Sequence, residues 1–332
     1  MKKIQLNMQR KNAYPCIEDI KYKEYMKMNV EPYLDEKKES GFYERTAGKY
    51  LYYENYMAED AVGTVIVSHG FTECAQKYKE VIYYFLKEHY HVFLIDHRGH
   101  GRSVRENSEN DFSLTHINSF MDYVEDFRGF IEEIVVAKAG TAVPFYIYAH
   151  SMGGAIASRY LQMYPGRVRK AILTAPMLGI QLGKPQLVAK IVSYCMCKTG
   201  KSETYIMGQK PFCREACFEE SCGSDKERYE YYHEKRLAEQ ELQNTAGSYS
   251  WLYESIKATR IIEKEKRQIQ IPLCIFSAEK DDLVTLEGQL NLAKKTPDSY
   301  LVRVSGTKHE IYMAPAQVQR QYWRYIFAFL KS

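Results

Sequence analysis

Short apolar runs alternate with amphipathic stretches along most of this chain, and that alternation restricts it to a parallel sheet covered by helices on both faces. Thr64-Val65-Ile66-Val67-Ser68 is a continuous β-branched run, the pattern of a strand buried on both sides. Residues 77–88 then read as a helix, Val92-Phe93-Leu94-Ile95 as a strand, 117–138 as a long helix, Phe145-Tyr146-Ile147-Tyr148 as a strand, 153–164 as a helix and Ala171-Ile172-Leu173 as a strand. Two Tyr-rich strands, 41–45 and 49–56, precede the series. The alternation stops at Met177. It resumes with a helix from Trp251, strands at 273–276 and 300–304, and helices from Leu286 and over 317–330. The expected fold is therefore α/β, a mostly parallel, doubly wound sheet with a helical insertion after its sixth core strand. Residues 41–176 and 248–332 form the core, and 177–247 form the insertion.

Residues 1–40 stand outside this pattern as a charged arm. Ile17, Ile20, Met26, Val30 and Tyr33 fall at roughly helical spacing, which predicts an N-terminal helix. With 332 residues, 45% hydrophobic and 27% charged, the chain can bury a large core and needs no disulfide or metal staple. Its 46 Lys+Arg against 42 Asp+Glu leave +4, and the basic residues are interspersed with acids, which argues against nucleic acid as a partner. The basic start, 1–10, is followed by no apolar signal core, and no run approaches the ~20 apolar residues of a membrane span. A cytoplasmic location is expected, with any membrane contact peripheral, at the inner face. Eight cysteines in that setting are expected to be reduced thiols. Five of them, Cys195, Cys197, Cys213, Cys217 and Cys222, lie in the insertion without a C-x-x-C pair or a histidine at zinc-finger distance, so they read as partly buried thiols and not as a metal site. The 29 tyrosines suggest aromatic-rich surfaces or pockets with wet rims.

The chemistry concentrates at Ala149-His150-Ser151-Met152-Gly153-Gly154, between an apolar strand and a helix that opens on small residues. Strand, tight turn and helix is the setting of a G-x-S-x-G nucleophile elbow, here with Ala149 in the first glycine position. The alternative is a serine that only caps the helix. A serine nucleophile requires a histidine base and an acid, in chain order Ser, acid, His. Asp281 lies in an acidic loop after the strand at 273–276, and His309 in a glycine-containing loop after the strand at 300–304. Asp282 is the neighbouring alternative for the acid. Oxyanion donors are expected from the backbone N–H of Met152 and, in the loop Ser68-His69-Gly70-Phe71, from that of Phe71. His69 reads as a brace for that loop, or as a residue against the substrate.

The elbow, the His69-Gly70 loop and the segment Asp96-His97-Arg98-Gly99-His100-Gly101 together resemble the α/β-hydrolase superfamily, within it the serine aminopeptidase and monoacylglycerol lipase group. The similarity is strongest to bacterial lysophospholipases of the PldB type, with matching wording at 148–156, 173–180 and 248–256. The resemblance implies Ser151 as nucleophile, Asp281 as acid, His309 as base, Asp96 as a structural residue, and no metal or organic cofactor. It also implies a small lipid ester as substrate, lysophospholipid or monoacylglycerol, with an aminopeptidase-like or small-ester activity as the enzymatic alternative. A catalytically silent lipid- or partner-binding protein is the non-enzymatic one. By position the insertion corresponds to the family's lid. There Leu187, Val188, Ile191, Val192, Cys195 and Met196 recur at helical spacing, opposite Lys184, Lys190 and Lys198, as a stripe that lines an acyl tunnel through Leu187 and Ile191, rests on a membrane, or packs on the core.

Overall fold

The computed structural model describes residues 2–5, 14–109, 111–183, 186–265 and 268–332. Nine strands form one sheet: β1 (Lys2–Gln5), β2 (Lys38–Thr46), β3 (Lys49–Tyr56), β4 (Gly63–Ser68), β5 (Tyr90–Ile95), β6 (Phe145–His150), β7 (Val168–Thr174), β8 (Leu273–Ala278) and β9 (Tyr300–Val304). Their order is β1-β9-β8-β7-β6-β4-β5-β3-β2, and β3 alone runs antiparallel to its neighbours. The main helices are α1 (Lys79–Lys87), α2 (Phe120–Gly129), α3 (Met152–Met163), α4 (Gln186–Lys198), α5 (Lys226–Ala238), α6 (Tyr249–Lys264), α7 (Leu286–Lys295) and α8 (Ala316–Lys331).

The central strands β4, β6 and β8 are buried along their whole length, as expected of apolar runs covered on both sides. Alternation decides which core each residue joins. Ile66, Phe93 and Ile147 pack with Phe127, Ile156 and Tyr160 on one face, while Val65, Val67 and Leu94 pack with Phe85, Trp323 and Phe327 on the other. Local signals set the helix starts. Ser119 caps α2 by accepting from the Met121 N–H, and Ser248 caps α6 by accepting from the Trp251 N–H.

Three features differ from the sequence expectation. First, the arm is part strand: β1 pairs in parallel with β9, because an open sheet edge will order a segment that carries no strand signal of its own. Its helix begins only at Tyr22, after Lys21 turns left-handed, so Ile20 lies outside the helix and is exposed. Tyr22, Met26, Val30 and Leu34 are the buried face. Their spacing of four would drift around an α-helix, and the π-helical turns of Met26–Val30 take up the drift. Second, among the described residues of 177–247 the helices are α4, α5 and a short 3-10 turn at Gln240–Leu242, Ala246–Gly247 pairs as a short strand with Leu114–Thr115, and residues 199–225 run as turns and bends. Of the residues read earlier, Lys184 and, within 1–10, all but Lys2–Gln5 lie outside those described. Third, tyrosines fill the interior more than the surface. Tyr52 and Tyr56 donate to Glu54, Tyr22 and Tyr84 to Glu80, and Tyr78 and Tyr312 to Glu73, so a buried carboxylate takes two phenols in each case. All eight cysteines are among the described residues and unpaired; Cys197 and Cys222 are partly buried, but Cys195, Cys213 and Cys217 are exposed.

α5 is fastened to the rest of the molecule by the arm. Arg228, fully buried, places its guanidinium on Glu80 of α1 through two 3.0 Å hydrogen bonds and on Asp19 at 2.6 Å, and donates to the Ile17 carbonyl. Lys23 and Lys27 pair with Glu230 and Glu234 around it.

Candidate active site

Ser151 sits at the sharp turn from β6 into α3, with φ 49° and ψ −117°. A non-glycine residue adopts that backbone only under constraint, and the constraint is visible. The Ser151 N–H donates to the Thr174 carbonyl, and the Ser151 carbonyl accepts from Met177, which stitches the turn to the end of β7. Gly153 and Gly154 follow because there is no room for more. A Cβ on Gly153 would overlap the carbonyl oxygens of Ser68 and His69, and one on Gly154 would come 2.6 Å from Pro176 Cβ. The Ser151 hydroxyl makes no capping hydrogen bond to α3. It lies 2.8 Å from His309 Nε2.

The Nδ1 of His309 is 2.8 Å from Asp281 Oδ2. An ionised carboxylate only accepts, so Nδ1 carries the proton and Nε2 faces Ser151 as an acceptor. Asp281 is oriented by its own loop: its Oδ1 accepts from the N–H groups of Leu283 and Val284 at 3.0 and 3.1 Å. Burial raises its carboxyl pKa, but the bond and charge of His309 and the two N–H groups outweigh that and hold it below the usual range. Asp282 is exposed.

The Met152 N–H is the first of α3 and stands beside Ser151. The Phe71 peptide is held from its other side. His69 Nε2 accepts from the His97 N–H at 2.8 Å, so its Nδ1 is protonated and donates to the Gly70 carbonyl at 2.7 Å. Because the Gly70 carbonyl and the Phe71 N–H belong to one trans peptide, fixing one points the other in the opposite direction. The Phe71 ring stacks on Trp251 with centroids 3.9 Å apart. Beneath this loop Asp96 accepts from the N–H groups of Ala75 and Arg102, and burial pushes its carboxyl up to about 7.

A cavity of about 310 Å³ opens over Ser151 and His309. Its walls carry apolar side chains, among them Met177, Ile180, Leu182, Leu252, Leu283 and Val284, and polar ones, among them Thr72, Glu73, Gln209, Thr245 and Glu310. His69, Leu187 and Ile191 are not among its walls. His69 is buried with both ring nitrogens bonded, so it braces the loop and has no face left for a substrate. Leu187 and Ile191 lie on α4 with Val188, Val192 and Tyr194, all exposed, because α4 packs inward through Ser193 and Ala189. Sequence reasoning missed Glu73, Trp251, Ile206 and Gln209. Glu73 had a local signal, three residues after Gly70 in the same turn. Ile206 and Gln209 had none, since 199–225 carries no periodicity.

A central parallel sheet, a strained serine at a strand–helix turn and an Asp–His–Ser hydrogen-bonded chain drawn from three loops define an α/β-hydrolase. The chain belongs to the family described as "Serine aminopeptidase, S33" (Hydrolase_4), whose profile matches residues 59–315. It is 26% identical over 266 residues to a probable lysophospholipase L2 of Haemophilus influenzae, covering 80% of this chain and 83% of that one. It is 41% identical to lysophospholipase L2 of Escherichia coli K12 over 126 residues, 38% of this chain and 36% of that one. A soluble variant of monoglyceride lipase from Saccharomyces cerevisiae superposes with a TM-score of 0.71 over 88% of this chain and 94% of that one, at 15% identity, which is a likeness of fold.

Proposed function

We propose that the protein is a carboxylic ester hydrolase acting on single-chain lipid esters, lysophospholipid or monoacylglycerol, with Ser151 as nucleophile, His309 as base and Asp281 as orienting acid. The observation that carries this reading is the 2.8 Å contact of Ser151 and His309 in the wall of a cavity lined by both apolar and polar side chains. The apolar walls, with Ile180, Leu182 and Leu283, suit an acyl chain, and the polar side chains Thr72 and Gln209 suit a headgroup.

The reaction runs in two steps. His309 Nε2 takes the Ser151 proton as Oγ attacks the ester carbonyl, and the N–H groups of Phe71 and Met152 stabilise the oxyanion. The imidazolium, held by Asp281, returns its proton to the leaving alcohol oxygen. Water, deprotonated by the same nitrogen, then cleaves the acyl-enzyme and restores Ser151.

The aminopeptidase reading requires carboxylates that receive a substrate ammonium. Glu73 and Glu310 border the cavity, but Lys77 already lies 3.4 Å from Glu73 and 2.5 Å from Glu310, which favours the ester. The insertion is read as the lid. The exposed apolar face of α4, flanked by Lys190 and Lys198, supports peripheral contact with a lipid surface. Among the described residues no helix is long and apolar enough to cross a membrane.

The test compares kcat/KM for lysophosphatidylcholine, a monoacylglycerol and aminoacyl amides, with fluorophosphonate labelling of wild type and Ser151→Ala. Fastest turnover of the amides overturns the lipid reading. No turnover of any of them points to a binding protein. Labelling that persists in Ser151→Ala removes the nucleophile assignment.

A further inference from the structure

We infer that Glu73 is a positioning residue for this reaction, a buried carboxylate that ties the oxyanion loop, the nucleophile turn and the segment after His309 into one rigid unit. The inference rests on the ester-hydrolase reading above.

Glu73 borders the cavity yet is only 2% exposed, so protein groups must replace its water. Its Oε2 accepts from the Gly70 N–H at 2.6 Å and from Tyr78 Oη at 2.6 Å. Its Oε1 accepts from Tyr312 Oη at 2.6 Å and from Lys77 Nζ at 3.4 Å. His150 Nε2 stands 3.7 Å from Oε1.

These partners come from every part of the site. Gly70 precedes the peptide that presents the Phe71 N–H. His150 precedes Ser151, and its ring lies against His309 with centroids 4.8 Å apart. Tyr312 is three residues beyond His309 and stacks on Tyr78 at 4.9 Å, which sets the two hydroxyls side by side toward one carboxylate. Lys77 also holds Glu310, the residue after His309. The loop closes on Glu73 so tightly at Gly70 that a Cβ there would lie 2.7 Å from Glu73 Oε2 and 2.9 Å from the His150 ring. His69 fixes the carbonyl side of the Gly70–Phe71 peptide, and Glu73 fixes the peptide before it.

The arrangement requires a carboxylate. Four donors use the roughly four lone pairs of its two oxygens. An amide would set its NH₂ against either the Gly70 N–H or Lys77, neither of which can accept, and would force the tyrosine hydroxyl on that side to turn from donor to acceptor. Burial raises the Glu73 pKa, but the charge of Lys77 and the two tyrosine hydroxyls outweigh it, so the group stays ionised.

Glu73→Gln tests this by separating ground-state binding from transition-state binding. The expected result is a fall in kcat of about 10- to 100-fold, since a misplacement of about 1 Å costs roughly that much, with KM within about twofold. Affinity for a long-chain aldehyde, which forms a tetrahedral adduct at Ser151, falls by the same factor. Affinity for a 1-O-alkyl lysophospholipid, which has no scissile ester, is unchanged. Tyr312→Phe, which removes one of the four donors, shifts kcat and aldehyde affinity in the same direction by less, and carries the test if Glu73→Gln does not fold. Wild-type kcat in a folded Glu73→Gln or Tyr312→Phe protein overturns the inference, as does an equal loss of affinity for aldehyde and ether lipid. Absence of ester turnover in the wild-type protein overturns the ester-hydrolase reading itself, which distinguishes the two failures.

Discussion

Replacing Arg228 by alanine removes a buried cation that joins the arm, α5 and the core, and the structure sets the size of the effect. The side chain is fully buried, while its partners differ: Glu80 is 6% exposed, Asp225 10% and Asp19 37%. Asp19 regains water when the arginine goes and contributes little. Glu80 keeps the hydroxyls of Tyr22 and Tyr84, at 2.9 and 2.7 Å, but loses its charge partner in a dry site. Breaking a buried pair from one side costs about 3–5 kcal/mol. The lost guanidinium also leaves the face of Tyr22, 4.4 Å away, without its cation. By contrast Lys23 and Lys27, which pair with Glu230 and Glu234 on the partly exposed rim, are worth about 0.2–1 kcal/mol each. Urea unfolding of Arg228→Ala and of Lys23→Ala/Lys27→Ala measures both, and hydrogen exchange places the loss. Protection should fall in the arm helix and in α5, with the central strands retaining theirs. Equal destabilisation by the two variants, or a loss spread evenly over the sheet, would refute the argument that burial of this one cation anchors α5.

Asp281→Asn preserves shape but leaves His309 without a charged partner, and kcat should drop on the order of 10³–10⁴-fold with the fold intact by circular dichroism. Stability should decline from pH 7 to pH 5. Burial lowers His69 to about 4 and His150 to about 3, and His97 and His100 well below the usual value. The unfolded chain therefore binds protons below about 6.5 that the folded one refuses, at about 2 kcal/mol per ring by pH 5. Asp96, raised to about 7 by burial, works in the opposite direction and offsets part of this. Urea midpoints at the two pH values report the sum, and a midpoint that rises on acidification contradicts it. Ile191→Glu, on the exposed face of α4, should reduce co-sedimentation with anionic vesicles severalfold while leaving hydrolysis of a short, water-dispersed ester unchanged. Unaltered co-sedimentation would remove α4 as the contact.

Much of the molecule was legible because its signals are local. An apolar β-branched run such as 64–68 specifies a buried strand wherever it lies, and a serine between such a strand and Gly153-Gly154 specifies a sharp turn with a hydroxyl at its tip. The order of Ser151, Asp281 and His309 could be read for the same reason, since each occupies a loop at the end of its own strand. Periodicity announces that a helix has an apolar stripe but not what that stripe meets. On the arm it identified Met26 and Val30 and failed for Ile20, and on α4 it marked Leu187 and Ile191 without showing that Ser193 would be the buried side.

What the sequence by itself determined, then, is the sheet from β2 to β9, the sharp turn at Ser151 and the order of the Asp281 and His309 loops, all set by short-range pattern. Only the tertiary structure decided that Tyr78 and Tyr312, 234 residues apart, would meet on Glu73, and that Arg228 would be sealed between Asp19 and Glu80. The physical reason is that a buried charge is tolerable only where several distant donors or acceptors converge on it. Convergence of that kind belongs to the packed chain and leaves no mark on any one stretch of it.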